Sequence, residues 1–226
     1  VVGDLTRAAV ARLIDWGAGL KPETTEAELA AACDEAVALG IGQLCVQPAL
    51  VLPAVRRLAG CTPRVAVVSV AGFPHGASMP EVKAREAALA VEQGAAEVDM
   101  VLNRGWLKGG DLARAEADVA AVVRAAAGRP VKVILETAAL TPAEARAGCR
   151  VAEAAGAAFV KTSTGFGYGG ATVEAVRLLA EAVGGRLGVK ASGGIRTAAA
   201  ARAMLEAGAT RLGTSSAPAI LAELPA

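Results

Sequence analysis

The sequence predicts a single-domain α/β chain, residues 1–226, folded as a (β/α)8 barrel of the TIM type with a short helix ahead of its first strand. Three observations carry this. Short β-branched runs alternate with alanine-rich helical stretches along the whole chain. A glycine phrase that ends a helix just before a strand recurs four times. The length of 226 residues suits one domain of an architecture that takes about 250 residues and can shrink towards about 200.

The first strand is expected around Leu13-Ile14-Asp15, ahead of a loop and a helix starting near Thr25. Seven further strands are expected at residues 44–47, 64–70, 97–102, 131–136, 159–162, 187–191 and 211–214. They read as continuous apolar runs, as strands covered on both faces do, and the helices between them imply parallel pairing with right-handed crossovers. Thr25 with Glu28, and Thr141 with Glu144, have capping-box spacing. Pro142 takes a first helical position, and Thr172 and Thr197 are further N-caps. Gly40, Gly94, Gly156 and Gly208 each stop a helix just before a strand. They recur every 52 to 62 residues, about two βα units, so four pairs of units make eight strands. A doubly wound open sheet is the alternative, but no GxGxxG follows the first strand to build its dinucleotide crevice.

Composition narrows the function. No stretch reaches the roughly 18 consecutive apolar residues of a membrane helix. The start Val1-Val2-Gly3-Asp4 lacks the charged-then-apolar layout of a signal peptide, so a cytoplasmic, membrane-free protein is expected. A net charge of +1 and 3% aromatics leave neither a basic field for phosphate backbones nor stacking platforms for bases, which argues against nucleic acid. Cys33, Cys45, Cys61 and Cys149 are widely spaced with no CxxC, and His75 is the sole histidine. That pattern fits thiols in a reducing compartment and no metal centre. The chemistry is left to Lys, Asp, Glu, Ser, Thr or Cys.

In such a barrel the active site lies at the C-terminal ends of the strands. Lysine is scarce, six against seventeen arginines, yet Lys161 and Lys190 top neighbouring strands in Phe159-Val160-Lys161-Thr162-Ser163-Thr164-Gly165 and Val189-Lys190-Ala191-Ser192-Gly193-Gly194. Apolar surroundings and a second positive charge both disfavour ammonium, so either lysine could become the neutral amine that attacks a carbonyl. Simple pairing with a barrel carboxylate is the plainer alternative for each. Asp99 interrupts Val98-Asp99-Met100-Val101-Leu102 and needs a cationic partner, which the lysines supply; there it can shuttle protons. Glu136 is similarly placed but less diagnostic. Ser192-Gly193-Gly194 and Gly213-Thr214-Ser215-Ser216 follow the last two strands, where loop amides commonly hold phosphate. Cys45 ends the second strand and reads as a buried thiol near the pocket. The turn Gly72-Phe73-Pro74-His75-Gly76 reads as a pocket rim.

The segments Val160-Lys161-Thr162-Ser163-Thr164-Gly165-Phe166-Gly167, Val189-Lys190-Ala191-Ser192-Gly193-Gly194-Ile195-Arg196, Glu97-Val98-Asp99-Met100-Val101-Leu102-Asn103 and Gly213-Thr214-Ser215-Ser216 together resemble the deoxyribose-phosphate aldolase family. The resemblance runs from about Leu13 to Leu221. It implies reversible cleavage of 2-deoxy-D-ribose 5-phosphate to acetaldehyde and D-glyceraldehyde 3-phosphate without metal or cofactor. By the same resemblance Lys161 is the Schiff-base lysine, Lys190 perturbs it, and Asp99 belongs to the proton relay. Gly165, Gly193, Gly194, Ser215 and Ser216 fall in the phosphate-holding segments, and a cytoplasmic homodimer or homotetramer is implied. The chain departs from the family at the first strand, where Ile-Asp-His-Thr-Leu-Leu-Lys-Pro is replaced by Ile14-Asp15-Trp16-Gly17-Ala18-Gly19-Leu20-Lys21-Pro22, one residue longer. Asp15 aligns with a family aspartate that helps organise the second lysine. A different phosphate-binding Schiff-base aldolase and a noncatalytic sugar-phosphate-binding barrel are the competing readings.

Overall fold

The computed structural model describes residues 5–225. The signal-peptide reading rests on residues 1–4 and falls outside them, as do the outermost ends of the single-domain span. The elements run α1 (Arg7–Arg12), β1 (Ile14–Gly19), α2 (Glu26–Ala38), β2 (Gln43–Val46), α3 (Val51–Arg57), β3 (Ala66–Ala71), α4 (Pro80–Glu92), β4 (Glu97–Val101), α5 (Arg104–Lys108) and α6 (Leu112–Ala125). They continue as β5 (Val131–Ile134), α7 (Pro142–Ala154), β6 (Phe159–Lys161), α8 (Val173–Val183), β7 (Gly188–Ser192), α9 (Ala198–Glu206), β8 (Arg211–Thr214) and α10 (Ala217–Ala222). The eight strands are parallel and close in sequence order into a barrel, as the alternation of runs predicts. Seven strands fall within two residues of the expected bounds, while β1 reaches to Gly19.

The helix ends follow from local chemistry. Thr25 and Thr141 complete capping boxes with Glu28 and Glu144, and Thr172 and Thr197 accept from Ala175 and Ala200. Gly40, Gly94, Gly156 and Gly208 all have positive φ. Each closes a Schellman turn: Gly40 N–H donates to Val37 O and Ile41 N–H to Ala36 O, with the equivalent pairs at the other three. No helix among the described residues is long and apolar enough to cross a membrane.

One expectation needs correcting. From β4 to β8 the strands are not continuous apolar runs but alternate. Val98, Met100, Val131, Val133, Val160, Val189, Ala191 and Leu212 join the main core between barrel and helices. Glu97, Asp99, Lys132, Lys161, Lys190 and Arg211 occupy the alternate positions and are bonded to one another within the barrel. A smaller apolar cluster of Leu20, Cys45, Val68 and Val70, with Phe73 against it, occupies the β2 and β3 side of the barrel.

The extra residue of the first strand is absorbed by a bulge. Asp15 pairs with Gln43 and Trp16 with Leu44, but Gly19 then pairs with Val46, so three residues of β1 span two of β2. A Cβ on Gly19 would lie 2.7 Å from Val46 Cγ1, which explains a glycine at that close approach. Because the bulge lies above Asp15, that residue keeps its register with Gln43 on one side and Gly213 on the other.

Candidate active site

Neighbouring strand tops bring the predicted residues together. Lys161 on β6 and Lys190 on β7 are register partners, and both point at Asp99 on β4. Lys161 Nζ donates to Asp99 Oδ2 at 2.8 Å and Lys190 Nζ to the same oxygen at 2.7 Å. Lys190 also donates to Asp15 Oδ2. All four side chains are buried.

A third lysine, which the sequence reading passes over, completes the group. Lys132 on β5 is buried and donates to Asp99 Oδ1 at 2.7 Å. It also lies 2.5 Å from Glu97 Oε2 and 3.3 Å from Asp15 Oδ2. Arg211 on β8 donates to Asp15 Oδ1 at 2.8 Å, to Gln43, and to Glu97 Oε2 at 3.3 Å. The signal for Lys132, Glu97 and Arg211 is a charged residue out of phase with the core-facing apolar positions of β5, β4 and β8.

The cage therefore holds three carboxylates (Asp15, Glu97 and Asp99) against three cations (Lys132, Lys190 and Arg211) before Lys161 is counted. Burial disfavours every charge here, and the neighbours decide which survive. Burial pushes Lys190 down, but Asp15 and then Asp99 overcome it and hold its pKa above the ordinary lysine value. Lys132 likewise ends raised, through Asp15, Asp99 and Glu97. Burial pushes Asp15 and Asp99 up, yet Lys132 and the other cations hold both below the usual carboxylate range. Lys161 alone of the three lysines ends lowered: burial dominates, Asp99 opposes it, and the Lys190 charge adds to the depression. Two lysines on one carboxylate oxygen thus shift in opposite directions.

A cavity of about 290 Å³ opens onto Lys161 and Lys190. Gly165, Gly193, Gly194 and Ser215 line it as expected, and Thr164 and Arg196 join them. Gly165, Gly193 and Gly194 all have positive φ, which glycine adopts without strain. Ser216 does not line the cavity; its amide is engaged by Thr214 Oγ1 at 2.9 Å. Thr162 Oγ1 bridges to the backbone of Ser192, and Ala171 N–H donates to Gly193 O at 3.0 Å, so the loops after β6 and β7 are stitched together. Trp16 Nε1 donates to Ser215 O at 3.2 Å and ties the top of β1 to the loop after β8.

Cys45 lines the cavity as part of the apolar cluster, its thiol pushed up to about 11 by burial and then by Asp99. It is protonated at neutral pH and supplies wall rather than nucleophile. His75 lies outside the catalytic cavity, in a neighbouring hollow with Arg104 and Tyr168. Glu136 Oε2 accepts from Thr164 N at 3.2 Å and from Thr164 Oγ1 at 2.6 Å, bracing the loop after Lys161.

Residues 9–221 match the model of the DeoC/LacD family aldolases. The deoxyribose-phosphate aldolase of Mycolicibacterium paratuberculosis is 56% identical over 221 residues, 96% of this chain and 97% of that one. The enzyme of the same name from Nocardia farcinica is 54% identical over 97% of this chain and 96% of its own. Among solved structures, the tetrameric deoxyribose phosphate aldolase of Aeropyrum pernix is 33% identical, with a TM-score of 0.87 over 96% of this chain and 91% of that one.

Proposed function

The chain belongs to the DeoC/LacD aldolase family, and on that premise we propose that it is a deoxyribose-phosphate aldolase with Lys161 as its Schiff-base nucleophile. The observation that carries the choice of lysine is the difference in their partners: Lys190 bonds both Asp15 and Asp99 while Lys161 bonds Asp99 alone, which holds the Lys190 pKa up and leaves burial to lower that of Lys161. A lowered pKa supplies the free amine that attack on an aldehyde needs.

The Lys161 amine adds to C1 of 2-deoxy-D-ribose 5-phosphate, and loss of water leaves an iminium. The C3 hydroxyl gives up its proton, the C2–C3 bonding pair moves into the iminium, and D-glyceraldehyde 3-phosphate departs from an enamine. Protonation of the enamine at C2 and addition of water then release acetaldehyde and restore the amine. The iminium is the electron sink, so the sequence of steps calls for no metal or cofactor. Lys190, held as ammonium, disfavours a second proton on its neighbour and is a proton donor. Asp99 bridges both amines, and its depressed pKa suits it to pass a proton on rather than keep it. The loop amides around Gly165, Gly193 and Gly194, with Ser215, receive the phosphate. Leu20 and Cys45 offer the two-carbon fragment an apolar wall.

Reduction with borohydride in the presence of acetaldehyde is expected to leave one ethyl group on Lys161, read by peptide mass. Lys161→Ala is expected to abolish cleavage while retaining sugar-phosphate binding. An ethyl group on Lys190, or cleavage by a chain whose Lys161 stays unmodified, overturns the assignment. We further propose a homo-oligomer in a reducing cytoplasm. Met79, Val82 and Leu89 expose a row of apolar side chains along α4, and four cysteines are free. Light scattering that reports a monomer would refute the oligomer.

A further inference from the structure

We propose that the top of the barrel carries a second binding site, next to the catalytic cavity, for a small phosphate monoester bearing a free hydroxyl group. Its hollow lies between the turn after β3, the start of α5, the end of β5 and the loop after β6, with His75, Arg104, Glu136, Phe166 and Tyr168 on its walls. At about 370 Å³ it is no smaller than the catalytic cavity of about 290 Å³, so the same size of molecule fits.

Two buried polar atoms of opposite character remain unengaged there. Glu136 is 1% exposed, and while Oε2 takes both Thr164 donors, Oε1 accepts from nothing among the described residues. Arg104 Nη1 is buried and donates to nothing among them. The two do not pair with each other, although such complementary groups gain most by pairing. Glu136 also sits at a φ of 47°, a left-handed conformation that a glutamate adopts at a cost in strain, and such positions cluster at working sites.

The chemistry of an occupant follows. Arg104 calls for an anionic acceptor, and phosphate matches the guanidinium fork. Glu136 Oε1 calls for a donor, which a hydroxyl on the same small skeleton supplies. Tyr168 holds the guanidinium in place, its ring centroid 5.6 Å from Arg104 Cζ. Lys108 lies in the adjoining hollow and adds positive field, but its ammonium is already bonded to Ala139 O at 2.7 Å. Phe166 lines both this hollow and the catalytic cavity, and its ring meets Phe73 edge-on at 5.3 Å, so one aromatic wall separates the two.

The test is calorimetric titration of the whole protein with glycerol 3-phosphate, which cannot be turned over, set against inorganic phosphate. The expected result is two classes of site for glycerol 3-phosphate. Arg104→Leu removes one class, weakening it at least tenfold, while leaving deoxyribose 5-phosphate cleavage intact. Inorganic phosphate binds the lost class at least tenfold more weakly than glycerol 3-phosphate does. As a check independent of any variant, amide resonances of His75 and Tyr168 in the intact chain shift on adding glycerol 3-phosphate. A single class of site, two classes that both survive Arg104→Leu, equal affinity for inorganic phosphate, or unmoved His75 and Tyr168 resonances each overturn the proposal.

Discussion

Replacing Lys132 by methionine deletes one cation from the cage while keeping most of the side-chain volume. With three carboxylates facing three cations, a neutral Lys161 leaves the intact cage balanced. Without Lys132 the carboxylates are in excess by one, and a proton on Lys161 restores the balance. Lys132 and Lys161 bind opposite oxygens of Asp99, at 2.7 and 2.8 Å. The charges that dominate at Lys161 are those of Asp99 and Lys190, so Lys132 acts on it chiefly through the carboxylate they share; freeing Asp99 Oδ1 strengthens that carboxylate's hold on the Lys161 proton by on the order of 1 kcal/mol, or ~1 pKa unit. The sign is fixed by the nucleophile: the amine exists above its pKa, so raising that pKa moves the acidic limb of kcat/KM to higher pH. Lys132→Met is expected to be ~10-fold slower on that limb and to converge on the parent at alkaline pH. The assay is aldehyde release from 2-deoxyribose 5-phosphate across pH. Thermal unfolding is measured alongside, because removing one partner of a buried ion pair costs ~3–5 kcal/mol. A rate that falls by one factor at every pH, with the limb unmoved, would refute the charge-balance argument.

Three further outcomes are expected. Lys161 binds its proton less tightly folded than unfolded, so its burial costs stability below the ordinary lysine value, most fully below its folded pKa, and the cost fades as pH rises towards 10.5. Lys161→Met should therefore stabilise the fold at pH 7 by the ~0.5–2 kcal/mol that a single stabilising substitution commonly yields, read as a higher melting temperature, with a smaller gain near pH 10; an unchanged or lower melting temperature at pH 7 contradicts it. At pH 8 iodoacetamide should label partly exposed Cys61 and spare Cys45, whose thiol is held up to about 11; equal labelling in peptide mass spectra would show that the wall is open. Gly170→Ala puts a Cβ into the Gly193 carbonyl and must part the loops after β6 and β7. The Michaelis constant for the sugar phosphate should rise ~10–100-fold, and an unchanged value would detach those loops from phosphate binding.

What the sequence made legible was mostly local. Thr25-Glu28, Thr141-Glu144 and the four glycine stops are short-range chemistry, and the structure forms each of them. Lys161, Lys190 and Asp99 stood out because each is a charge inside an apolar run. Lys132 is the same kind of residue, in Val131-Lys132-Val133-Ile134, but reading the strands as uniformly apolar hides it. Period-two alternation, applied to β4 to β8, would have drawn Glu97, Lys132 and Arg211 into the site at once. The order of the two lysines was not available from chemistry on the sequence alone. It depends on which one Asp15 also touches, a contact across 175 positions of chain that only the closed barrel creates. Ser216 stands apart from the cavity wall because its amide is turned to Thr214 Oγ1, a local contact that a loop motif does not disclose.

A barrel filled by branched apolar side chains would be more stable than one holding seven charged or ionisable groups, because buried ion pairs seldom repay their desolvation. The fold bears this because its main core lies outside the sheet, between strands and helices, while the interior keeps an apolar cluster on the β2 and β3 side. The division gives the catalytic cavity two unlike sides: lysines and glycine loops from β6 to β8, and Leu20 and Cys45 from the apolar cluster. A molecule with a phosphate and hydroxyls at one end and a bare two-carbon fragment at the other can satisfy both sides in one orientation, which sets its aldehyde carbon against Lys161. The bulge in β1 fits the same logic. It admits an extra residue where Leu20 must reach the apolar side, and it does so above Asp15, so the aspartate that keeps Lys190 charged stays where the sheet puts it.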